Sequence, residues 1–380
     1  MKLARCHNIA TLRDRAIGRL PRPVFDYIDG GAEDEIALKE SVSAFDDLRL
    51  MPRTLVDVSA LDLGTTLFGR RISMPLMLAP TGLTRLFHPE AELAVARAAS
   101  AAGLPYCLST LGTTTIEDMA SQTSAPKLFQ IYIFKDRGLT EEFIERARLA
   151  GYDGLVLTVD TLIAGKRERD IVNRFGLPPR LTPQSFLSYA AKPWWSLPAL
   201  FGRKFDFVNV AHRVAAMAAG PTTLAEYIGG QFDRTLDWKD VEWLAQKWGG
   251  PLAIKGIVRA DDAVRAVDSG ADTIMVSNHG GRQLGTACAP ISAIPAVANA
   301  LKGRGTIICD GGIRRGEHIA KALALGADAV SIGRSYLYGL AAGGEAGVSR
   351  SLAILREELE RTMILLGAPD CPSIDRSLVA

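Results

Sequence analysis

Eight short β-rich runs recur between residues 75 and 334 with helix-like segments between them, and no other feature restricts the fold as tightly. The runs are PLMLAP (75–80), YCLST (106–110), KLFQIYI (127–133), GLVLTVD (154–160), LAIKGI (252–257), TIMVSN (273–278), TIICDG (306–311) and AVSIGR (329–334). Amphipathic segments such as PEAELAVARAASAAG, TEEFIERARLAG and ADDAVRAVDSGAD separate them, and acidic first turns and closing glycines mark helix ends. Consecutive strands joined through a helix lie parallel. Eight such units predict an α/β fold, a closed (β/α)8 barrel of the TIM type, with its chemistry at the carboxyl ends of the strands. A doubly wound open sheet is the competing arrangement; the missing GxGxxG at the first strand–helix turn speaks against it.

Two segments stand outside this rhythm: a helical lead-in, 1–74, and an insertion after the fourth strand, 172–235. The whole, 1–380, reads as one domain, since 48% of the residues are hydrophobic and a barrel of this length needs one large core. Formal net charge is +2 with basic and acidic residues interspersed, which excludes a nucleic-acid footprint. The five cysteines (Cys6, Cys107, Cys288, Cys309, Cys371) are scattered without a CxxC pair, so reduced thiols are expected, and neither disulfides nor a metal. The arginine-studded N-terminus lacks the apolar core of a signal peptide, and no window approaches the roughly 20 apolar residues of a spanning helix. Within the insertion, Trp194, Trp195, Leu197, Leu200, Phe201 and Phe205 lie beside Lys192, Arg203 and Lys204, a composition suited to a membrane surface. A loop folded over the barrel mouth is the alternative. The expectation is a cytoplasmic protein, peripheral on the inner face of the membrane.

The carboxyl ends of the predicted strands carry the chemistry. His279 follows the sixth strand, and Gly280 and Gly281 let the backbone turn close to a ligand. Thr158 and Asp160 share a face of the fourth strand, where Asp160 can steady a histidinium. Gln130 and Tyr132 do likewise on the third, and Lys255 ends the fifth, an awkward place for an ammonium unless it faces an anion. Arg167 and Arg282 offer two forks for a carboxylate. The turns DGGIRRG (310–316) and IGR (332–334), entering helices after strands seven and eight, suit a phosphate, with Arg314 and Arg334 adding charge. Together these describe a phosphorylated cofactor over which an anionic substrate loses hydrogen, and a buried lysine suits a flavin that gains negative charge on reduction.

At this point the chain resembles the FMN-dependent L-2-hydroxyacid oxidase and dehydrogenase family, which includes glycolate oxidase, lactate dehydrogenase and (S)-mandelate dehydrogenase. The matching stretches are FDYIDGGAEDE, APTG, FQIY, LTVDT, RERDI, IKGI, SNHGGRQL, DGGIRRG and LGADAVSIGR. The resemblance implies His279 as base with Asp160 as its partner, and Tyr132 at the substrate hydroxyl. Tyr27, Arg167 and Arg282 would hold the carboxylate. Pro80, Thr81, Gly82, Ser109, Gln130, Thr158, Lys255 and Ser277 would contact the flavin, and Asp310, Gly312, Arg314, Gly333 and Arg334 its ribityl and phosphate. A homotetramer is also implied. Residue types leave hydride transfer and a carbanion route equally open.

Departures from the family concern the pocket. Leu111 stands where glycolate oxidases carry tryptophan, Leu162-Ile163-Ala164 replaces Pro-Arg-Leu, and Gly82 stands where oxidases usually place alanine. These imply a 2-hydroxyacid larger than glycolate, lactate- or mandelate-like, and a quinone or cytochrome as acceptor; an oxidase releasing hydrogen peroxide is the alternative. Gly285 replaces a common aspartate and removes a loop anchor. A flavin isomerase and a non-catalytic flavin-binding protein are further alternatives, and neither needs paired arginines beside a His/Asp pair. His7, His88, His212 and His318 are expected at the surface or at helix starts, and Cys309, Tyr189, Tyr336 and Tyr338 in packing.

Overall fold

A computed structural model of the chain describes residues 3–176, 183–201, 207–211 and 229–380, without the side chains of 183–185. Arg203, Lys204, Phe205 and His212 lie outside the described residues. The eight expected runs all form strands: β1 (Leu76–Leu78), β2 (Tyr106–Ser109), β3 (Lys127–Ile131), β4 (Gly154–Thr158), β5 (Leu252–Ile257), β6 (Thr273–Ser277), β7 (Thr306–Asp310) and β8 (Ala329–Ile332). Each pairs in parallel with the next, and β8 returns to β1 through Val330 opposite Leu76, closing the barrel. Helices cover the outside, so the strands are buried on both faces and are built from continuous Val, Ile and Leu runs rather than alternating ones.

Two-residue periodicity along each strand then sets the interior. Met77, Cys107, Leu128, Val156, Ala253, Met275, Ile308 and Ala329 form one apolar layer, packed with Leu67 and Ile72 of a hairpin, Thr65–Leu67 against Arg70–Ile72. Two positions further on stand Ala79, Ser109, Gln130, Thr158, Lys255, Ser277, Asp310 and Ser331. Residues two apart share a face, so these make the next inward layer toward the carboxyl ends. The barrel therefore changes from dry to polar within one residue pair per strand. Burying this many polar groups is unfavourable unless each finds a partner or a ligand.

The lead-in supplies α1 (Ile9–Arg19), α2 (Arg22–Asp29) and α3 (Ile36–Ser43). After β4 comes α4 (Glu168–Val172), which leads into the insertion, and the insertion carries α5 (Pro183–Ala190) and α6 (Pro193–Phe201). After β7 and β8 come α7 (Gly316–Ala324) and α8 (Arg334–Leu366), the latter broken at Gly343–Gly344. The two adjacent tryptophans of the insertion part company: Trp195 donates its indole N–H to Leu86 O at 2.6 Å and stacks on Tyr189, whereas Trp194 is exposed. Phe186, Leu187, Leu197, Leu200 and Phe201 are exposed with it. Among the described residues, no helix is long and apolar enough to cross a membrane.

Candidate active site

Above the polar layer lies a cleft of about 270 Å³. Its walls gather Tyr27, Pro80, Thr81, Gly82, Tyr132, Arg167, His279 and Arg282, and also Ser109, Gln130, Thr158, Lys255, Asp310, Gly312, Arg314, Gly333 and Arg334. Residues from the lead-in, every strand end and the start of the insertion thus meet at one mouth. Ser277, expected at the flavin, and Asp160, expected as the partner of His279, are not among the residues that line it.

His279 follows β6 in the left-handed region, φ 58°, with its backbone N–H donated to Ser277 Oγ at 3.0 Å. Its Nδ1 lies 2.8 Å from Asp160 Oδ1. The carboxylate only accepts, so this bond assigns the proton to Nδ1 and leaves the Nε2 lone pair for a ligand. Thr161 Oγ1 donates to the same Asp160 oxygen at 3.1 Å. Burial draws the His279 pKa below its ordinary value, with Lys255 and Arg282 acting the same way and Asp160 opposing. For Asp160, burial alone would raise the pKa, but His279 and Lys255 hold it well below the ordinary carboxylate range. A neutral imidazole beside a fixed carboxylate is poised to accept a proton.

Lys255 lies inside β5, not at its end, and it does face an anion: Asp310 Oδ2 at 3.3 Å. Ser277 Oγ accepts from Lys255 Nζ at 3.2 Å and donates to Asp310 at 2.7 Å. Burial lowers the lysine pKa, yet the Asp310 and Asp160 carboxylates outweigh it and the net direction is upward, so the ammonium persists. With these bonds and that of His279 N–H, the Ser277 hydroxyl is saturated. It acts as a strut beneath the cleft.

Tyr27 carries both substrate-side arginines. The Arg282 guanidinium lies 4.9 Å and that of Arg167 5.7 Å from its ring centroid, and Phe175 stacks on the ring at 5.0 Å. Arg282 Nη1 donates to Tyr27 O and Gly30 O, and Arg167 Nε to Asp170, so each fork is anchored while both residues line the cleft. Arg334, expected at the phosphate, lines the cleft and is also anchored: one N–H from each of its three nitrogens goes to Ile28 O, Gly280 O or Gly30 O. Burial lowers its pKa to about 9, which keeps it charged at neutral pH. It ties the end of α2 to the loop of His279. Arg314, by contrast, gives one bond to Ile313 O and lines the cleft. Gly312, at φ 77°, has no room for a side chain, because a Cβ there would lie 1.8 Å from Ser41 O.

A model of the FMN-dependent dehydrogenase family matches residues 16–380. The chain belongs to this family. Glycolate oxidase 1 of Oryza sativa subsp. japonica is 44% identical over 370 residues, which are 97% of this chain and 94% of that one. Among solved structures, the monotopic membrane protein (S)-mandelate dehydrogenase superposes with a TM-score of 0.94 at 38% identity, covering 99% of each chain. Mandelate oxidase with benzoyl-formic acid gives 0.83 at 34% identity over 98% of each.

As a member of this family the protein oxidises a 2-hydroxyacid with FMN, and its residues fit the cofactor. Gln130 Oε1 accepts from Ser109 Oγ and Thr110 N–H, which leaves buried Nε2 without a partner, a donor suited to a ring carbonyl. Ser331 Oγ is buried and unpartnered in the same wall. The Gly311–Arg314 turn and the start of α8 at Gly333 would hold the phosphate, and Lys255 would face the ring system. Ser331 escaped the sequence reading, although stepping by two from Ala329 would have found it. Tyr336 was expected only to pack. Its hydroxyl donates to Ala79 O at 2.9 Å and accepts from Thr81 Oγ1 at 2.6 Å, setting the Thr81 side chain at the cleft. Thr161 and Gln283 were also missed. Gln283 donates to Asp160 O and Ile163 O and accepts from Gly165 N–H, joining the Arg167 and His279 loops through contacts about 120 residues apart.

Proposed function

We propose that the enzyme oxidises an L-2-hydroxyacid with an aromatic or branched substituent to the 2-oxoacid and passes the electrons to a quinone or another electron-transport acceptor. The observation that carries this reading is that His279, held through Nδ1 and so with Nε2 left unclaimed, lines one cleft with Arg167 and Arg282 and with Tyr27, Phe87, Leu111 and Phe232. Arg167 and Arg282 bind the carboxylate, and Tyr132 orients the hydroxyl. Burial raises the Tyr132 pKa far above its ordinary value, so it stays a hydrogen-bond donor. His279 Nε2 accepts the proton released from the CHOH group, and Asp160 stabilises the resulting imidazolium. FMN, when bound, supplies the acceptor for the two electrons. Lys255 keeps a positive charge beneath it.

A small Leu111 and the aromatic wall support a substituent larger than that of glycolate. The test is an anaerobic screen of hydroxyacids that follows bleaching of the flavin absorbance: glycolate reacting faster than lactate and mandelate would overturn the size assignment. The oxidase reading is favoured by the glycolate oxidase relatives. Fast peroxide formation at air saturation, with slow quinone reduction, would decide for it.

The exposed Trp194, Leu197, Leu200 and Phe201 and the likeness to a monotopic membrane protein support peripheral membrane attachment through 172–235. Deleting about 180–230 should release the protein from the membrane fraction. A homotetramer is the assembly proposed, and its solution mass tests it.

A further inference from the structure

His318, expected at the surface or at a helix start, stands in the first turn of α7 but is buried, at 4% exposure, immediately behind the Gly311–Arg314 turn. Its ring stacks parallel on Phe45, with centroids 4.3 Å apart and planes 6° apart. Its Nδ1 lies 3.3 Å from both Gly312 O and Arg314 N. We propose that His318 is a positioning residue for the phosphate end of the cofactor, holding this turn in its binding shape. The inference rests on the reading of the turn as the phosphate cradle.

The surroundings make this the ring's principal work. One helical turn on, buried Lys321 donates Nζ to Phe45 O at 3.0 Å, so the residue beneath the imidazole is itself fixed by α7. On the other side, Ser41 at the end of α3 presses its carbonyl against Gly312. The turn is clamped between the lead-in and α7, with His318 filling the slot. Burial lowers the imidazole pKa to about 4, so near neutrality it is uncharged. A neutral Nδ1 either accepts from Arg314 N–H or donates to Gly312 O, and both partners are backbone of the same turn. Loss of either bond frees the residue whose guanidinium lines the cleft and the glycine whose backbone must approach the anion. His318 does not line the cleft, so its effect passes through the turn.

The test uses the full-length apoprotein, titrated with FMN and with riboflavin, which lacks the phosphate, by quenching of flavin fluorescence. His318→Phe keeps a flat ring on Phe45 and removes both nitrogens, whereas His318→Asn keeps a polar atom near the place of Nδ1. The expected result is FMN binding weakened about tenfold by His318→Phe, the value of one lost hydrogen bond, with riboflavin binding unchanged. His318→Asn should recover most of the loss. Wild-type preference for FMN over riboflavin retained in full by His318→Phe would overturn the proposal while leaving the cradle reading intact. An equal loss of both ligands, with a lower melting temperature, would also overturn it in favour of a purely structural role. Should wild type bind FMN and riboflavin equally, the cradle reading itself fails and the proposal with it. If phenylalanine does not fit the slot, the same ratio measured in His318→Leu decides.

Discussion

Lys255 Nζ and Asp310 Oδ2 lie 3.3 Å apart inside the barrel, from strands separated by β6, and the Ser277 hydroxyl between them bonds to both. The pair is buried, with side chains at 5% and 8% exposure. Charges this far from water are tolerated only through each other.

Lys255→Met should therefore destabilise the apoprotein by about 3–5 kcal/mol, because it leaves the Asp310 carboxylate buried and uncompensated. Lys255→Met combined with Asp310→Asn should regain most of that loss. Urea unfolding of the two variants measures it, and additive losses would show that the pair is not coupled.

The pH dependence follows from His279. Its pKa is depressed, so the neutral, proton-accepting form persists below the ordinary 6.5. The acid limb of kcat/KM should fall below about pH 6.5, with a plateau above it. Asp160 opposes the depression, so Asp160→Asn should move the limb to still lower pH while cutting the plateau by about 10²–10⁴. A limb above pH 7 in the wild type would contradict this assignment.

Arg282 must reach the substrate while its Nη1 holds Tyr27 O and Gly30 O. A lysine carries the charge without the fork and cannot do both. Arg282→Lys should raise KM by about 10–100-fold, with a smaller change in kcat, in steady-state kinetics with the preferred hydroxyacid.

Leu111 lies against Gly82, whose added Cβ would meet Leu111 Cβ at 3.2 Å. Leu111→Trp should fill the cleft beside it and lower kcat/KM for mandelate at least about tenfold relative to glycolate, on the scale of a lost apolar pocket. Equal losses on both substrates would place the substituent elsewhere.

The barrel was legible because its signal is local. Apolar runs such as TIMVS and LAIKGI, each followed by a glycine-punctuated helix, declare a buried parallel strand without reference to anything distant. Most site residues were legible for the same reason, since position at a strand end and period two place Gln130, Thr158 and Lys255 on the inner face. The helix-start position of His318 was legible, but its burial was not, because that depends on Phe45, 273 positions earlier in the chain. The anchoring of Arg334 was not legible because the carbonyls of Ile28 and Gly30 stand more than 300 residues away.

The order of the residues by itself determined a closed parallel barrel, its inward polar layer and membership in a family of FMN enzymes. Only the tertiary structure decided which polar atoms remain free for ligands: Gln130 Nε2 is unpartnered and the Nδ1 bond leaves His279 Nε2 unclaimed, while the Ser277 hydroxyl is saturated and Arg334 already gives three of its five N–H groups to backbone carbonyls. Strand periodicity orients a side chain within a few residues of itself. Whether its hydrogen bonds are already satisfied depends on groups that only the closed fold brings within 3 Å.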